Sequence, residues 1–324
     1  MSPAEVEDLE EEAEYVRLKK LKKMYLSYTD PRKKYNITNQ NIGKGSVGEV
    51  FFATRGDTKF AIKKLELIRR GRNRLPLILR EIEIIATSAH PNIVQYIETF
   101  DMGEELWVVM EYMSGGSLYD IVKLFNTGTK LTESETAYTI HEVLEALSFL
   151  HSRNRIHRDI KVDNILLSRN GDVKLADFGT AVQLTFQRLQ RDTMAGTPYY
   201  MAPELIKRQP YKEKVDIWSV GITIVELMTG RPPYYHLEAE EALEAIVRHG
   251  VRGLIGNGFS GAILEFTNKG CLAHNPQSRP TAKDLLKHPF LQLACTKQQF
   301  SHKLDVISSR THEDEHTHKG CALL

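Results

Sequence analysis

One stretch that is apolar on both sides contains several polar residues, among them His157, Arg158, Asp159 and, five positions after the aspartate, Asn164. A carboxylate can accept a proton from a hydroxyl group, and an amide oxygen can help to hold a hard cation. The apolar flanks predict a loop held between two buried strands. Because a His-Arg-Asp triplet also occurs by chance, a second cation ligand and a substrate site must be found elsewhere in the chain.

A second carboxylate, Asp177, stands at the end of a predicted strand, with Gly179 two positions later. An aspartate at the end of a strand, followed by a flexible glycine, can direct its carboxylate onto a cation. Asp177 follows Asp159 by 18 positions, with Asn164 between them. Asn164 and Asp177 therefore predict a Mg²⁺ site. Substrate oxygens and water would complete it, because Mg²⁺ keeps several waters and needs no closed protein cage.

A glycine-rich segment near the start of the chain matches the pattern G-x-G-x-x-G-x-V. Dinucleotide-binding folds use the same glycines, but in those folds a helix follows. Here strand-forming residues follow up to Thr54, then a turn at Arg55–Thr58 and a second strand at Lys59–Leu65. Glycines at the tip of a hairpin let backbone N–H groups approach phosphates closely. The candidate phosphate-binding residues are Ile42, Gly43, Lys44, Gly45, Ser46, Val47, Gly48, Glu49 and Val50.

Lys63, in the sequence Ala61-Ile62-Lys63, lies on the second strand of this hairpin. A helix is predicted after Pro76, and a glutamate on its inner face could pair with the lysine. Glu81 and Glu83 are the two candidates.

The rest of the chain changes from strand-rich to helix-rich. A buried strand ends at Met110, and the segment from Glu111 through Met113 to Leu118 has the character of a hinge followed by a helix start. From Leu131 onward apolar residues recur at helical spacing. The pattern predicts the α+β class.

Together these motifs resemble the eukaryotic protein kinases over residues 36–291. Three segments are similar to the PAK family of the STE group: Asp30–Tyr35, Leu106–Leu118 and Asp192–Glu204, with Tyr200 where that family usually has tryptophan. The family's helix glutamate stands ten residues before its Pro-Asn-Ile-Val sequence, which selects Glu81. The resemblance implies a bilobal fold, with a small strand-rich N-lobe at residues 35–113 and a larger helical C-lobe at residues 114–291.

The resemblance also implies a serine/threonine protein kinase that uses ATP and Mg²⁺ to modify protein substrates. Asp159 would orient the acceptor hydroxyl and take its proton, and Lys161 would neutralise charge on the transferred phosphoryl group. Lys63, oriented by Glu81, would contact the α- and β-phosphates. The adenine pocket would be formed by Ala61, Met110, Glu111 and Met113. Two other classes remain: a kinase-shaped scaffold that transfers little phosphate, and a small-molecule or lipid kinase.

Thr193 is the predicted regulatory residue. A phosphate placed there by this chain or by an upstream kinase would add about 1.5 to 2 negative charges and could pair with Arg158. The alternative is an ordinary loop threonine. Thr197 is expected to face the substrate, and together with Lys161 it is typical of kinases for serine and threonine.

Composition excludes several other functions. The net charge of +1 argues against a nucleic-acid-binding surface over the whole molecule. The three cysteines are too few and too far apart for a disulfide framework or a zinc site. The chain shows no signal peptide and no apolar run long enough to cross a membrane, so we expect a cytoplasmic protein.

Residues 1–34 are predicted to form a charged extension with an amphipathic helix. Its apolar face would consist of Val6, Leu9, Ala13 and Val16. The basic second half could contact an acidic partner or anionic lipid, or the helix could be solvated without a role. The extension contains nothing like the family's GTPase-binding segment, so direct binding of a Rac-type GTPase is doubtful.

Residues 292–324 are predicted to be a flexible polar tail. The tail ends in Cys321-Ala322-Leu323-Leu324, which matches the C-a-a-X prenylation signal with leucine last. Ala322 is a poor aliphatic residue for that signal, so both a prenylated and an unmodified Cys321 stay open. One lipid chain anchors weakly, and the basic half of the extension could supply a second membrane contact.

Overall fold

The computed structural model describes residues 3–44, 48–184, 194–251 and 258–320. They form two units, one strand-rich and one helix-rich, as the sequence predicts. The first unit contains the chain up to Ala89 and the segment Val94–Tyr112, and the second contains His90–Ile93 and the chain from Met113 onward. The border therefore lies one residue before the predicted one. Neither extension is a separate region, because residues before 35 belong to the first unit and residues after 291 to the second.

The first unit is built on a six-stranded sheet with the order β1-β7-β8-β4-β3-β2, in which β1 and β7 are parallel and the other neighbours antiparallel. A separate short hairpin is formed by β5 and β6. The central strands read as apolar runs because both of their faces are covered. The strands of this unit are β1 (Leu26–Ser27), β2 (Asn36–Lys44), β3 (Gly48–Arg55), β4 (Thr58–Glu66), β5 (Ile68–Arg69), β6 (Arg72–Asn73), β7 (Tyr96–Asp101) and β8 (Glu105–Glu111).

Two helices belong to this unit, α1 (Pro3–Tyr25) and α2 (Leu75–Ala86). The helix predicted in the extension is present, but the predicted apolar face is wrong where side chains are described, because Ala13 and Val16 are exposed. Leu21 is buried instead, at 3% exposure, in a core that contains Ile78 and Ile82 of α2. Leu18, Leu21 and Tyr25 form an apolar stripe on α1 that is hard to recognise in the sequence because charged residues surround it. The second half of the extension therefore contributes to the first unit's core.

The second unit is mainly helical, with two small strand pairs, β9–β12 and β10–β11. Its helices and strands are α3 (Leu118–Val122), α4 (Glu133–Ser152), β9 (Arg155–Ile156), β10 (Ile165–Leu167), β11 (Val173–Leu175), β12 (Val182–Gln183), α5 (Pro203–Ile206), α6 (Lys214–Thr229), α7 (Ala239–His249), α8 (Gly261–Leu264), α9 (Ala282–Leu285) and α10 (Lys297–Gly320). Short 3₁₀ segments include Val162–Asn164, Pro198–Tyr200 and Pro289–Leu293, and Glu265–Cys271 is a π-helix.

The predicted flexible tail is wrong for its described part, because residues Lys297–Gly320 form α10. Phe300, Leu304 and Ile307 are buried and lie at helical spacing. Lys297 forms an ion pair with Asp172 in the turn between β10 and β11. A polar average composition concealed three apolar residues on one face, and these are sufficient to dock the helix.

Within the described residues, none of the helices is both long enough and apolar enough to cross a membrane.

Candidate active site

The loop 157–164 carries the candidate proton acceptor Asp159 and the amide of Asn164. It lies between two short strands of the second unit, as predicted. β9 precedes it and β10 follows it. β9 pairs with β12 and β10 pairs with β11, so each end of the loop is tied to another segment. Ile160 and Val162 are fully buried beneath it, and His157 and Asn164 are buried as well, whereas Asp159 and Lys161 are partly exposed.

Asp216, at the start of α6, fixes the backbone of this loop. Its carboxylate accepts hydrogen bonds from the backbone N–H of His157 at 3.0 Å and of Arg158 at 2.8 Å. It also contacts Nε2 of His151 at 2.8 Å. Burial by itself would raise the pKa of Asp216, but the contact with His151 and the neighbouring donors hold the pKa below its usual value. The sequence showed only a carboxylate at the start of an apolar helix, and its role as an anchor was missed.

Asp159 lies at the centre of a cluster of polar side chains. Its Oδ1 accepts hydrogen bonds from the hydroxyl of Thr197 at 2.8 Å and from the backbone N–H of Thr197 at 3.1 Å. Lys161 Nζ lies 3.2 Å from Asp159 Oδ2 and donates to the Thr197 hydroxyl at 2.8 Å. The amide of Asn164 donates to Asp159 Oδ2 at 2.9 Å. The structure thus brings together four of the residues that the sequence selected.

The approach of Thr197 to this cluster depends on a glycine. Gly196 has a φ of 114°, and a Cβ at this position would lie 2.5 Å from the carbonyl oxygen of Arg158. Only glycine allows the two backbone segments to come this close.

Two non-glycine residues of the site have left-handed backbone conformations: Arg158 has a φ of 68° and Asp177 a φ of 58°. Such conformations cost free energy and cluster at functional sites. The Arg158 guanidinium donates to the carbonyl oxygen of Thr180 at 2.6 Å and to the Tyr211 hydroxyl at 3.1 Å. It therefore lies beside the first residues of the segment that leads to Thr193.

The residues predicted to hold Mg²⁺ are oxygen donors of the kind that this ion prefers. The Asn164 NH₂ group donates to both the backbone and side-chain oxygens of Asp159, so its carbonyl oxygen is directed elsewhere. Asp177 follows β11, and its Oδ1 accepts from the N–H of Gly179 at 3.2 Å. In the part of the chain that the structure describes, no three His, Cys, Asp or Glu side chains are grouped to hold a metal. These residues fit a Mg²⁺ site in which Asn164 and Asp177 are the protein ligands and phosphate oxygens and water would complete the coordination.

The first unit contains the residues selected for nucleotide contact. Gly43 and Val50 face each other across β2 and β3, as do Lys44 and Glu49. A Cβ on Gly48 would fall on the carbonyl oxygen of Lys64. The structure therefore explains why glycine is needed at position 48, which the sequence did not suggest: β3 and β4 approach each other too closely for a side chain.

Lys63 is buried on β4, opposite Val50 of β3 and Val108 of β8. Its Nζ lies 3.6 Å from Oε1 of Glu81 on α2. Glu83, the competing candidate, forms an ion pair with Arg17 of α1 at 2.6 Å. The predicted contact of Glu81 with Lys63 is therefore confirmed.

The residues selected for the adenine pocket are divided between the two units. Ala61 of β4 faces Met110 of β8 in the sheet register. Glu111 ends β8 and accepts a hydrogen bond from the N–H of Gln95 at 2.6 Å. Met113, which is buried, belongs to the second unit. Gly45, Ser46, Val47, Thr193 and Cys321 lie outside the described residues.

Tyr200 and Glu226 form a buried polar pair in the second unit, where the tyrosine hydroxyl donates to the Glu226 carboxylate. Burial, with a smaller contribution from Asp163, raises the pKa of Glu226 to about 7, although the hydrogen bond from Tyr200 acts in the opposite direction. The sequence did not predict this contact of Tyr200, which replaces the tryptophan usual in the PAK family.

The raised pKa predicts a pH dependence of stability. In the unfolded chain Glu226 should titrate near its usual value of 4.5, so between about pH 4.5 and 7 the folded state binds more protons. Stability should therefore fall as pH rises through this window. The total loss is on the order of 3 kcal/mol, since each pKa unit is worth about 1.4 kcal/mol. Denaturant unfolding at pH 5 and pH 8 should show Glu226→Gln gaining stability over wild type as pH rises. A difference that does not change with pH would contradict the assignment.

Comparison with known proteins agrees with this arrangement. Residues 36–291 match the family described as "Protein kinase domain". This match covers most of the chain, so the chain belongs to the protein kinase family, and its two units correspond to the α+β kinase fold.

The chain is similar to PAK-type serine/threonine kinases. It is 47% identical over 276 residues to serine/threonine-protein kinase pakC of Dictyostelium discoideum, a match that covers 84% of this chain and 56% of that protein. It is 43% identical over 279 residues to mouse serine/threonine-protein kinase PAK 1, covering 86% and 50%. The chain thus spans about half the length of these two relatives.

Proposed function

We propose that the chain is a serine/threonine protein kinase that transfers the γ-phosphoryl group of ATP to hydroxyl groups of protein substrates. The family match and the similarity to two named serine/threonine kinases support the reaction class. The observation that carries the proposal is the contact of Asp159 with both Lys161 and Thr197. A carboxylate beside a cation and a hydroxyl-bearing loop is arranged to receive an acceptor hydroxyl.

In the proposed step, the acceptor oxygen forms a bond to the γ-phosphorus while the bond from that phosphorus to the bridging oxygen of ADP breaks. The hydroxyl proton passes to the carboxylate of Asp159, and ADP leaves with the electron pair of the broken bond. Lys161 offsets the negative charge of the transferred group. Lys63, held by Glu81, is the proposed contact of the α- and β-phosphates.

Asn164 and Asp177 are the residues that would hold Mg²⁺ in this protein. When bound, the ion would neutralise charge on the phosphate oxygens. The protein itself contributes orientation. The Asn164 amide is fixed by its two hydrogen bonds to Asp159, and the left-handed backbone of Asp177 sets the direction of its side chain.

The preference for serine and threonine is tested by phosphate transfer to an equimolar mixture of protein substrates rich in Ser, Thr and Tyr. We expect labelled phosphoserine and phosphothreonine at a rate at least roughly tenfold above a sample without Mg²⁺. Label only on tyrosine would contradict the proposal. A chain that binds ATP but does not label any acceptor would indicate the scaffold alternative.

Thr193 is the proposed regulatory site, to be phosphorylated by this chain or by an upstream kinase. The support comes from Arg158, whose guanidinium contacts the carbonyl of Thr180 and thus the start of the same segment. A phosphate on Thr193 would offer the Arg158 guanidinium a charged acceptor. Mass spectrometry of the active protein, compared with a Thr193→Ala variant, tests whether the site is used.

Prenylation of Cys321 and a resulting membrane contact remain a separate proposal, based on the C-a-a-X match. Unchanged membrane fractionation after Cys321→Ser would show that it is wrong.

A further inference from the structure

Helix α1 is bound to helix α2 by apolar contacts along one stripe. Leu21 is buried in the core that holds Ile78 and Ile82, and Leu18 and Tyr25 pack against the same core. These residues of α1 lie three and four positions apart, so they share one helical face. Directly after α1, β1 adds a parallel strand to β7. The helix is therefore attached to the sheet at its end and to α2 through its second half.

Two ion pairs of opposite polarity connect the same two helices. Arg17 of α1 contacts Glu83 of α2 at 2.6 Å, and Glu14 of α1 contacts Arg80 of α2 at 2.6 Å. A sliding or rotation of α2 relative to α1 would separate both pairs. Each pair is partly exposed and individually weak, but the two together specify one register of the helices.

The position of α2 matters because Glu81 lies between the two residues that α1 holds. Glu81 is one residue from Arg80 and two from Glu83, and it contacts Lys63 at 3.6 Å. Helix α2 has no acidic residue in its first turn and no basic residue in its last turn, so its dipole is not offset by charges of its own. Ile78 and Ile82 of α2 are buried in the core that contains Leu21, so packing against α1 helps to set the position of α2.

We propose that α1 is a positioning helix for the Lys63–Glu81 pair, with Arg17 and Glu14 as positioning residues that act through α2. This inference rests on the proposed kinase function and assigns to residues before the kinase domain a control over the nucleotide-contacting lysine. It differs from a solvated helix without a role, and a contact of the basic half of α1 with lipid or an acidic partner stays a separate prediction.

The test uses charge reversal on the full chain. Arg17→Glu should place like charges opposite each other and lower kcat/KM for ATP by about threefold to tenfold. Glu83→Arg should cause a similar loss, and the two changes together should restore at least half of it, because the pair is re-formed with reversed polarity. Lys20→Glu, the same change on an exposed position of α1, is the matched control and should leave kcat/KM within about twofold of wild type.

Two further measurements separate positioning from stability. In a Glu81→Gln background, Arg17→Glu should lower kcat/KM for ATP by less than about twofold, because the contact between Glu81 and Lys63 that α1 supports is already lost. Amide hydrogen exchange should become about threefold to tenfold faster in α2 after Arg17→Glu and should recover in the double variant. Equal losses in the wild-type and Glu81→Gln backgrounds, or faster exchange without any loss of activity, would overturn the proposal.

The exchange measurement also separates a failure of the proposed kinase function from a failure of the positioning role of α1. If the wild-type chain transfers no phosphate, the proposed function fails. Exchange in α2 still decides whether α1 holds that helix: unchanged exchange after Arg17→Glu would then overturn the positioning role as well.

Discussion

Replacing Asp159 by asparagine should lower kcat for phosphate transfer by about 10² to 10⁴-fold, the range that general-base groups usually contribute. The carboxylate is the group placed to take the proton of the acceptor hydroxyl, and an amide cannot do so. Asparagine would also replace one carboxylate oxygen by an NH₂ group, which would face either the Thr197 hydroxyl that now donates to Oδ1 or the Asn164 amide that now donates to Oδ2.

The measurement is single-turnover transfer at saturating ATP, with thermal unfolding as a check that the variant is folded. Asp305→Asn makes the same chemical change at an exposed position on α10 and should leave the rate within about twofold. Thr197→Ser keeps a hydroxyl on the same backbone and should retain most of the activity. Transfer by the Asp159 variant at more than one tenth of the wild-type rate would show that another group takes the proton.

Replacing Arg279 by leucine should reduce the free energy of unfolding by about 3 to 5 kcal/mol, the usual cost of leaving one partner of a buried ion pair alone. The Arg279 guanidinium is fully buried and donates to Glu204 through two nitrogens, at 2.6 and 2.8 Å. It also donates to the carbonyl oxygens of Ala273 at 2.7 Å and Lys214 at 3.1 Å. The variant would leave these acceptors, and the carbonyl oxygen of His274, without this donor in a water-excluded site.

Two variants make the result specific. Arg248→Leu removes an arginine whose ion pair with Glu244 is about 70% exposed, and it should cost less than about 1 kcal/mol. Adding Glu204→Met to the Arg279 variant should recover part of the lost free energy of unfolding, because the buried carboxylate that lacks its partner is then removed. Denaturant unfolding measures all of them. A loss near about 1 kcal/mol for Arg279→Leu would mean that water or a rearranged neighbour satisfies Glu204.

The sequence predicted the local parts of this protein well. The loop between two strands and the hairpin with Lys63 follow from patterns a few residues long or from a family motif. The glycine hairpin was recognised from its flanking strand formers, because β-branched and aromatic residues favour strands. Glu81 was distinguished from Glu83 by its distance from Pro91 in the family pattern, and the contact with Lys63 agrees.

The two ends of the chain show what local patterns cannot specify. Residues 1–34 and 292–324 are rich in charge, so composition predicted an extension and a flexible tail. In the structure Leu21 of the first segment and Phe300 of the second are almost completely buried. A few apolar side chains are enough to dock a helix when another part of the chain offers a matching surface, and that surface is distant in sequence.

The amino-acid sequence was sufficient to identify the residue types of the reaction and their order: a carboxylate, a cation and an amide on one loop, a second carboxylate after it, and a lysine on a strand before it. Only the tertiary structure decided how these groups are held. Asp216 reaches the loop from a helix more than fifty residues later, and α1 reaches the helix of Glu81 from the start of the chain. Such contacts depend on the packing of whole elements, and packing is a property of the folded chain that residue spacing does not encode.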